Sequence, residues 1–136
     1  MREERILFHM IFYKITQSKN SLSKEGETLY YAKTIITGKT DFNELCDKVN
    51  KLSKIDKRVV SEVLTYAWQV MKIEMAHGKA IENVDKTCCY IQITSKAKKN
   101  KDDVSIKKYS KREIIVKPGP TVLEFFDKLK FYEKKS

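Results

Sequence analysis

The chain has 136 residues, enough for about one hydrophobic core. Hydrophobic residues make up 41% and charged residues 34%, and 28 Lys and Arg against 18 Asp and Glu leave a formal charge of +10. Aromatics at 10% with clear apolar periodicity argue against a disordered chain, four Gly and two Pro exclude collagen-like or linker-dominated architectures, and the charge points to a polyanion, nucleic acid before an acidic membrane surface.

The first residues, MREERILFHMIFYKI, hold a short apolar stretch, but Glu3 and Glu4 interrupt the basic start and no small-residue cleavage site follows. No signal peptide is expected, and no apolar run approaches the roughly 18 to 20 residues that span a bilayer. Leu7 to Gln17, rich in Phe, Ile, Tyr and Thr, reads as a strand. A polar connection at Asn20 to Gly26 leads to a second β-prone run, Thr28 to Thr37, and the two can pair as an antiparallel hairpin.

Asp41 then stands as an N-cap, with Glu44 three residues on. Phe42, Leu45, Val49 and Leu52 follow at spacings of three and four that share one helical face. Asp56 caps a second helix, Lys57 to His77, with Val59, Val60, Val63, Leu64, Ala67, Val70, Met71 and Met75 expected inward and Gly78 as its C′ residue. The short connection makes the helices antiparallel neighbours. Ala80 to Val84 reads as a short strand, Cys89, Ile91 and Ile93 alternate with polar residues as a longer one, and Glu113 to Lys117 is a third. Pro118-Gly119-Pro120 ends it, and Thr121 is expected to cap a last helix carrying Val122, Leu123, Phe125, Phe126 and Leu129. The order is β-β-α-α-β-β-β-α.

Enzyme signatures are missing: there is no GxxxxGK[ST], GxGxxG, HExxH or GxSxG. No nucleophile, base and orienting group can be named together, so an enzyme, a cofactor and a small-molecule substrate are not expected. His9 and His77 have no ligands at metal spacing and read as structural. Three cysteines, two of them adjacent, make a disulfide framework improbable and point to reduced thiols and the cytoplasm. One of Cys88 and Cys89 should point inward, and Cys46 belongs in or near the core.

The charge is not spread evenly. Residues 25–95 hold ten basic and ten acidic groups, whereas residues 96–117 hold nine basic groups against three acidic ones. That segment contains Lys96, Lys98, Lys99, Lys101, Lys107, Lys108, Lys111, Arg112 and Lys117, with Asp102, Asp103 and Glu113. It is either a solvated hairpin kept soluble by lysine or a basic β-ribbon that neutralises DNA phosphates without reading sequence. RNA is a weaker expectation, because Tyr109 is the one stacking aromatic nearby.

From about Met10 onward the chain resembles the HU-like DNA-binding proteins of Bacteroides-type bacteria, relatives of the HU/IHF histone-like family. The resemblance is carried by IFYKITQSKN and LYYAKTIITGKTDF in a two-strand extension and by helices ELCDKVNKLSKI and DKRVVSEVLTYAWQVMKIEMAHGK. The closing IIVKPGPTVLEFFDKLKF, with the Lys117-Pro118-Gly119 turn and Phe131, completes it. It implies an α+β, HU/IHF-like fold: two N-terminal helices, a three-stranded antiparallel sheet with a basic β-arm, a short C-terminal helix and an N-terminal two-strand extension. Residues 1–38 would be the extension packing on the core, and 39–136 the DNA-binding domain.

The resemblance further implies an intertwined homodimer that binds duplex DNA with little sequence preference, nucleoid-associated in the cytoplasm and without a membrane. The arm would fall between about Ser95 and Ser110, and Lys96, Lys98, Lys99, Lys101, Lys107, Lys108, Lys111 and Arg112 would contact DNA. Two departures stand out. Val84 and Thr87 occupy positions where the family carries glycines, and the proline that wedges between base pairs has no equivalent. Val104 or Ile106 could substitute for it, but Asp102 and Asp103 would repel phosphate, so weak or no kinking is expected. The alternative is an HU-like dimeric structural or protein-interaction module that has lost DNA bending or binding.

Overall fold

The computed structural model describes residues 10–19, 28–106 and 111–135. The expected strand start at Leu7, His9, the Asn20–Gly26 connection, Lys107, Lys108 and Tyr109 lie outside them. The chain is α+β and divides into two compact units, Met1–Thr40 with Phe125–Ser136, and Asp41–Glu124.

In the first unit β1 (Met10–Lys19) pairs antiparallel with β2 (Thr28–Thr34), Tyr13 opposite Thr34 and Ser18 opposite Leu29. On its other edge β1 pairs in parallel with β6 (Lys130–Glu133), Met10 beside Lys130 and Phe12 beside Tyr132. The strand order is β2-β1-β6, a mixed sheet. β6 is absent from the expected element order: four residues, KFYE, have no period of their own, and their strand character comes from the β1 edge they meet.

The second unit starts with α1 (Phe42–Ser53), where Asp41 Oδ1 accepts the Glu44 backbone N–H at 2.8 Å. Asp56 likewise accepts from the Arg58 N–H at 2.9 Å and opens α2 (Lys57–Ala76). Between the helices Lys54 takes the left-handed conformation at φ 65°, its N–H donating to the Asn50 carbonyl, and Asn50 Nδ2 donates to Ile55 O at 2.6 Å. The Lys57 ammonium meets Asp47 at 2.8 Å across the helix pair. α2 ends at Ala76 with His77 as its C-cap, and Gly78 follows with φ +81°.

β3 (Ile81–Glu82), β4 (Cys88–Thr94) and β5 (Lys111–Lys117) form an antiparallel sheet in that order. α3 begins at Pro120 and ends at Asp127, so Thr121 is not its cap. Gly119 holds that position, its carbonyl accepting from Leu123 N–H, because proline fits the first helical turn, where no N–H partner is needed.

Burial is sparse. Among the described residues Cys46, Val60, Met75 and Cys89 are the buried hydrophobic ones, all in the second unit. Cys89 is the inward member of its pair and Cys88 is half-buried, as the strand alternation requires. Of the residues expected inward on α2, Val60, Leu64, Met71 and Met75 turn in, while Val59, Val63, Ala67 and Val70 stay exposed. On α1 Val49 is half-buried but Leu52 is 81% exposed. Two helices and one small sheet offer too few layers to cover a helix that is apolar on two sides.

Candidate nucleic-acid interface

The β3–β4 turn and the Pro118–Pro120 turn interlock at the base of the β4–β5 hairpin. Lys86 sits at φ +66°, Asn83 N–H donates to Thr87 O at 2.8 Å, and Asp85 Oδ1 accepts the Thr87 N–H at 3.0 Å. The Gly119 N–H then donates to the Thr87 hydroxyl at 3.0 Å. A Cβ on Gly119 would run into the Asp85 carbonyl and the Lys86–Thr87 peptide, so this position needs glycine for closeness of approach. The Thr87 N–H, the largest influence, and then its side chain hold the Asp85 carboxyl below the ordinary carboxylate range. Thr87, which stands where the resemblance leads one to expect glycine, thus binds the backbone that approaches it.

From that base β4 and β5 run in register to Thr94 opposite Lys111. Alternation puts Cys89, Ile91, Ile93, Arg112, Ile114 and Val116 on one face. Tyr90, Gln92, Thr94, Lys111, Glu113, Ile115 and Lys117 are on the other. The two expected DNA contacts on the strand, Lys111 and Arg112, therefore point to opposite faces. Lys111 is engaged at 2.7 Å by Glu113, whose hydrogen bond and then charge hold the ammonium above its ordinary pKa. Lys117 Nζ lies 5.6 Å from the Tyr90 ring centroid at the base of the same face. The Glu113 pairing was not anticipated, although its two-residue spacing from Lys111 on a strand would have signalled it.

The ribbon expected over Ser95 to Ser110 is not seen in its described part. Residues 95–106 carry no strand, and a 3₁₀ turn spans Lys101–Asp103, with Asp103 N–H donating to Asn100 O and Val104 N–H to Lys101 O, both at 3.2 Å. The cause is local: Asn100, Asp102 and Asp103 are turn-forming residues. Lys96, Lys98, Lys99 and Lys101 are all exposed on this loop. Lys96 and Lys98 line a cleft of about 320 Å³ with Asp103 and Ser105. Val104 and Ile106 are 42% and 55% exposed.

A helical hairpin followed by a three-stranded antiparallel sheet with a lysine-rich excursion is the arrangement of an HU-like DNA-binding protein. The family described as an HU domain fused to wHTH, Ig, or glycine-rich motif matches residues 10–133, and the chain belongs to that family. A presumed bacterial DNA-binding protein from Bacteroides vulgatus ATCC 8482 has a crystal structure that matches with a TM-score of 0.59 at 10% sequence identity. The match covers 91% of this chain and 47% of that one, so the chain spans about half the length of that protein, and the likeness is one of fold. No protein of curated function matches the chain. Among the described residues no helix is long and apolar enough to cross a membrane, and no three His, Cys, Asp or Glu side chains are grouped to hold a metal.

Proposed function

We propose that the protein is a non-enzymatic, homodimeric, HU-like binder of duplex DNA, nucleoid-associated and largely indifferent to sequence. The observation that carries this is the exposed lysine loop between β4 and β5, in a segment of nine basic and three acidic residues, within a family of HU domains. Lysines on an irregular loop suit phosphate neutralisation and counterion release rather than base reading. Lys107 and Lys108 extend the same segment.

The dimer is supported by α2. Val59, Val63, Tyr66, Val70 and Ile73 recur at spacings of four and three and are 47–64% exposed. That is the a/d seam of a two-helix packing. Weak kinking remains the expectation. Val104 and Ile106 are exposed apolar groups at the loop, but they lie within three residues of Asp103.

The test is a salt titration of binding to a labelled duplex. Replacing Lys98, Lys99, Lys107 and Lys108 by Ala should weaken binding about equally for all sequences and reduce the log–log salt slope by up to about 3.6. An unchanged slope would remove the loop from the interface. The second reading, a dimeric interaction module without DNA binding, is favoured by the carboxylates of the 3₁₀ turn among the lysines. A stable dimer with no affinity at low salt would establish it.

A further inference from the structure

The first unit carries a second surface that the lysine loop does not account for. Its sheet has two faces of different chemistry, set by alternation and register. One face gathers Ile11, Tyr13 and Ile15 of β1 with Tyr30 and Ala32 of β2 and Phe131 of β6. The other gathers Phe12, Lys14 and Thr16 of β1 with Lys33 and Tyr31 of β2 and Tyr132 of β6. On this second face Lys130 pairs beside Met10, and Lys134, just beyond the strand, brings its Nζ to 5.2 Å from the Phe12 ring centroid.

No strand residue of that face among those described is a carboxylate, since Glu133 pairs with Tyr13 on the opposite side. Lys14 and Lys33 stand directly across from each other, a like-charge pair that costs the sheet stability. Both are exposed. Aromatic rings flank that charge. Phe12 and Tyr132 lie with centroids 6.1 Å apart and planes tilted by 43°. Tyr31 stands beside Thr16, about 13 Å further along β1. Tyr132 and Tyr31 are 41% and 47% exposed.

We propose that this face is a binding platform for single-stranded DNA, with Tyr31 and the Phe12–Tyr132 pair stacking bases and Lys14, Lys33, Lys130 and Lys134 following the phosphates. Charge complementarity fixes the occupant as a polyanion. Aromatic rings set among the cations distinguish a strand with unstacked bases from a duplex, whose bases offer no free faces. A like-charge lysine pair across β1 and β2 is otherwise unfavourable, and an incoming phosphate removes that cost.

The experiment uses the full chain and an oligothymidylate of about 16 nucleotides, read by fluorescence anisotropy beside a labelled duplex. Tyr31→Ala and Tyr132→Ala should each weaken single-strand binding about fivefold or more while duplex binding stays within about twofold. The Lys14→Gln, Lys33→Gln double variant should also lose single-strand affinity, yet melt at the same temperature as the parent or higher, because it removes a repulsive pair. That combination separates a binding role from a folding defect. Unchanged single-strand affinity in these variants overturns the proposal. So does an equal loss for strand and duplex, which would make the face a backbone track, or tighter binding of the ribonucleotide strand. Loss of duplex binding on neutralising the lysine loop alone leaves this face untouched, so the two sites fail separately.

Discussion

Thr87 shows how one side chain can hold a tight turn together. Its hydroxyl accepts the Gly119 N–H, its own N–H goes to Asp85, and its carbonyl takes both the backbone and side-chain N–H groups of Asn83. Thr87→Val keeps the shape and strands the Gly119 N–H, which should cost about 1–3 kcal/mol in urea unfolding. Gly119→Ala should cost about 3 kcal/mol or more, because the clash is with backbone that cannot swing aside. Asp85 adds a pH dependence. Its folded pKa is depressed, so its contribution is complete above the ordinary carboxylate pKa and is lost as pH falls through the lowered value. Thermal melts of the parent and Asp85→Asn should therefore differ at neutral pH, start to draw together below about pH 4, and converge only once pH has fallen through that lowered value. Asp41 and Asp56 were legible as caps because a cap and its donor lie within three residues. The Thr87–Gly119 bond joins residues far apart in sequence, and nothing local to either announces it.

At the scale of elements, both long helices and five of the six strands among the described residues could be read from periodicity and turn residues. β6 could not, because KFYE becomes a strand only against β1. The lysine segment was legible in composition but not in conformation. Its residues suit a ribbon by charge, yet Asn100, Asp102 and Asp103 close a turn instead. Those carboxylates sit amid the proposed phosphate contacts, so Asp102→Asn with Asp103→Asn should tighten duplex binding at low salt, and the gain should shrink as salt rises. Equal affinities at all salt concentrations would mean the turn faces away from DNA. The sheet platform of the first unit was hidden for a different reason. Its lysines and aromatics come from three strands, and only their register brings them to one face.

For the whole molecule the decisive quantity is the apolar surface left uncovered. A groove of about 610 Å³ beside α1 and α2 is lined by Phe42, Leu45, Leu64, Ala67, Trp68 and Met71, and the α2 seam adds a second uncovered strip. A second copy supplying its own seam is the proposed cover. Sedimentation should give twice the 16.0 kDa chain mass for the parent. Val63→Lys with Val70→Lys should give a single chain that binds duplex more weakly, since two loops no longer act together. A parent that sediments as one chain at all concentrations would leave the seam for another partner.

The parallel pairing of β1 with β6 also dictates an order of events during synthesis. β1 leaves the ribosome before the Asp41–Glu124 unit, and its second neighbour emerges only after the whole of that unit has been made. At about 5–20 residues per second the delay is on the order of ten seconds. Throughout it β1 and β2 are a two-stranded ribbon, marginal by itself and bare along one edge. Neighbouring nascent chains on one message would each display the same edge, and a β6 released from one could close the sheet of another. The first unit is thus the part of this protein most open to strand exchange while it is being made.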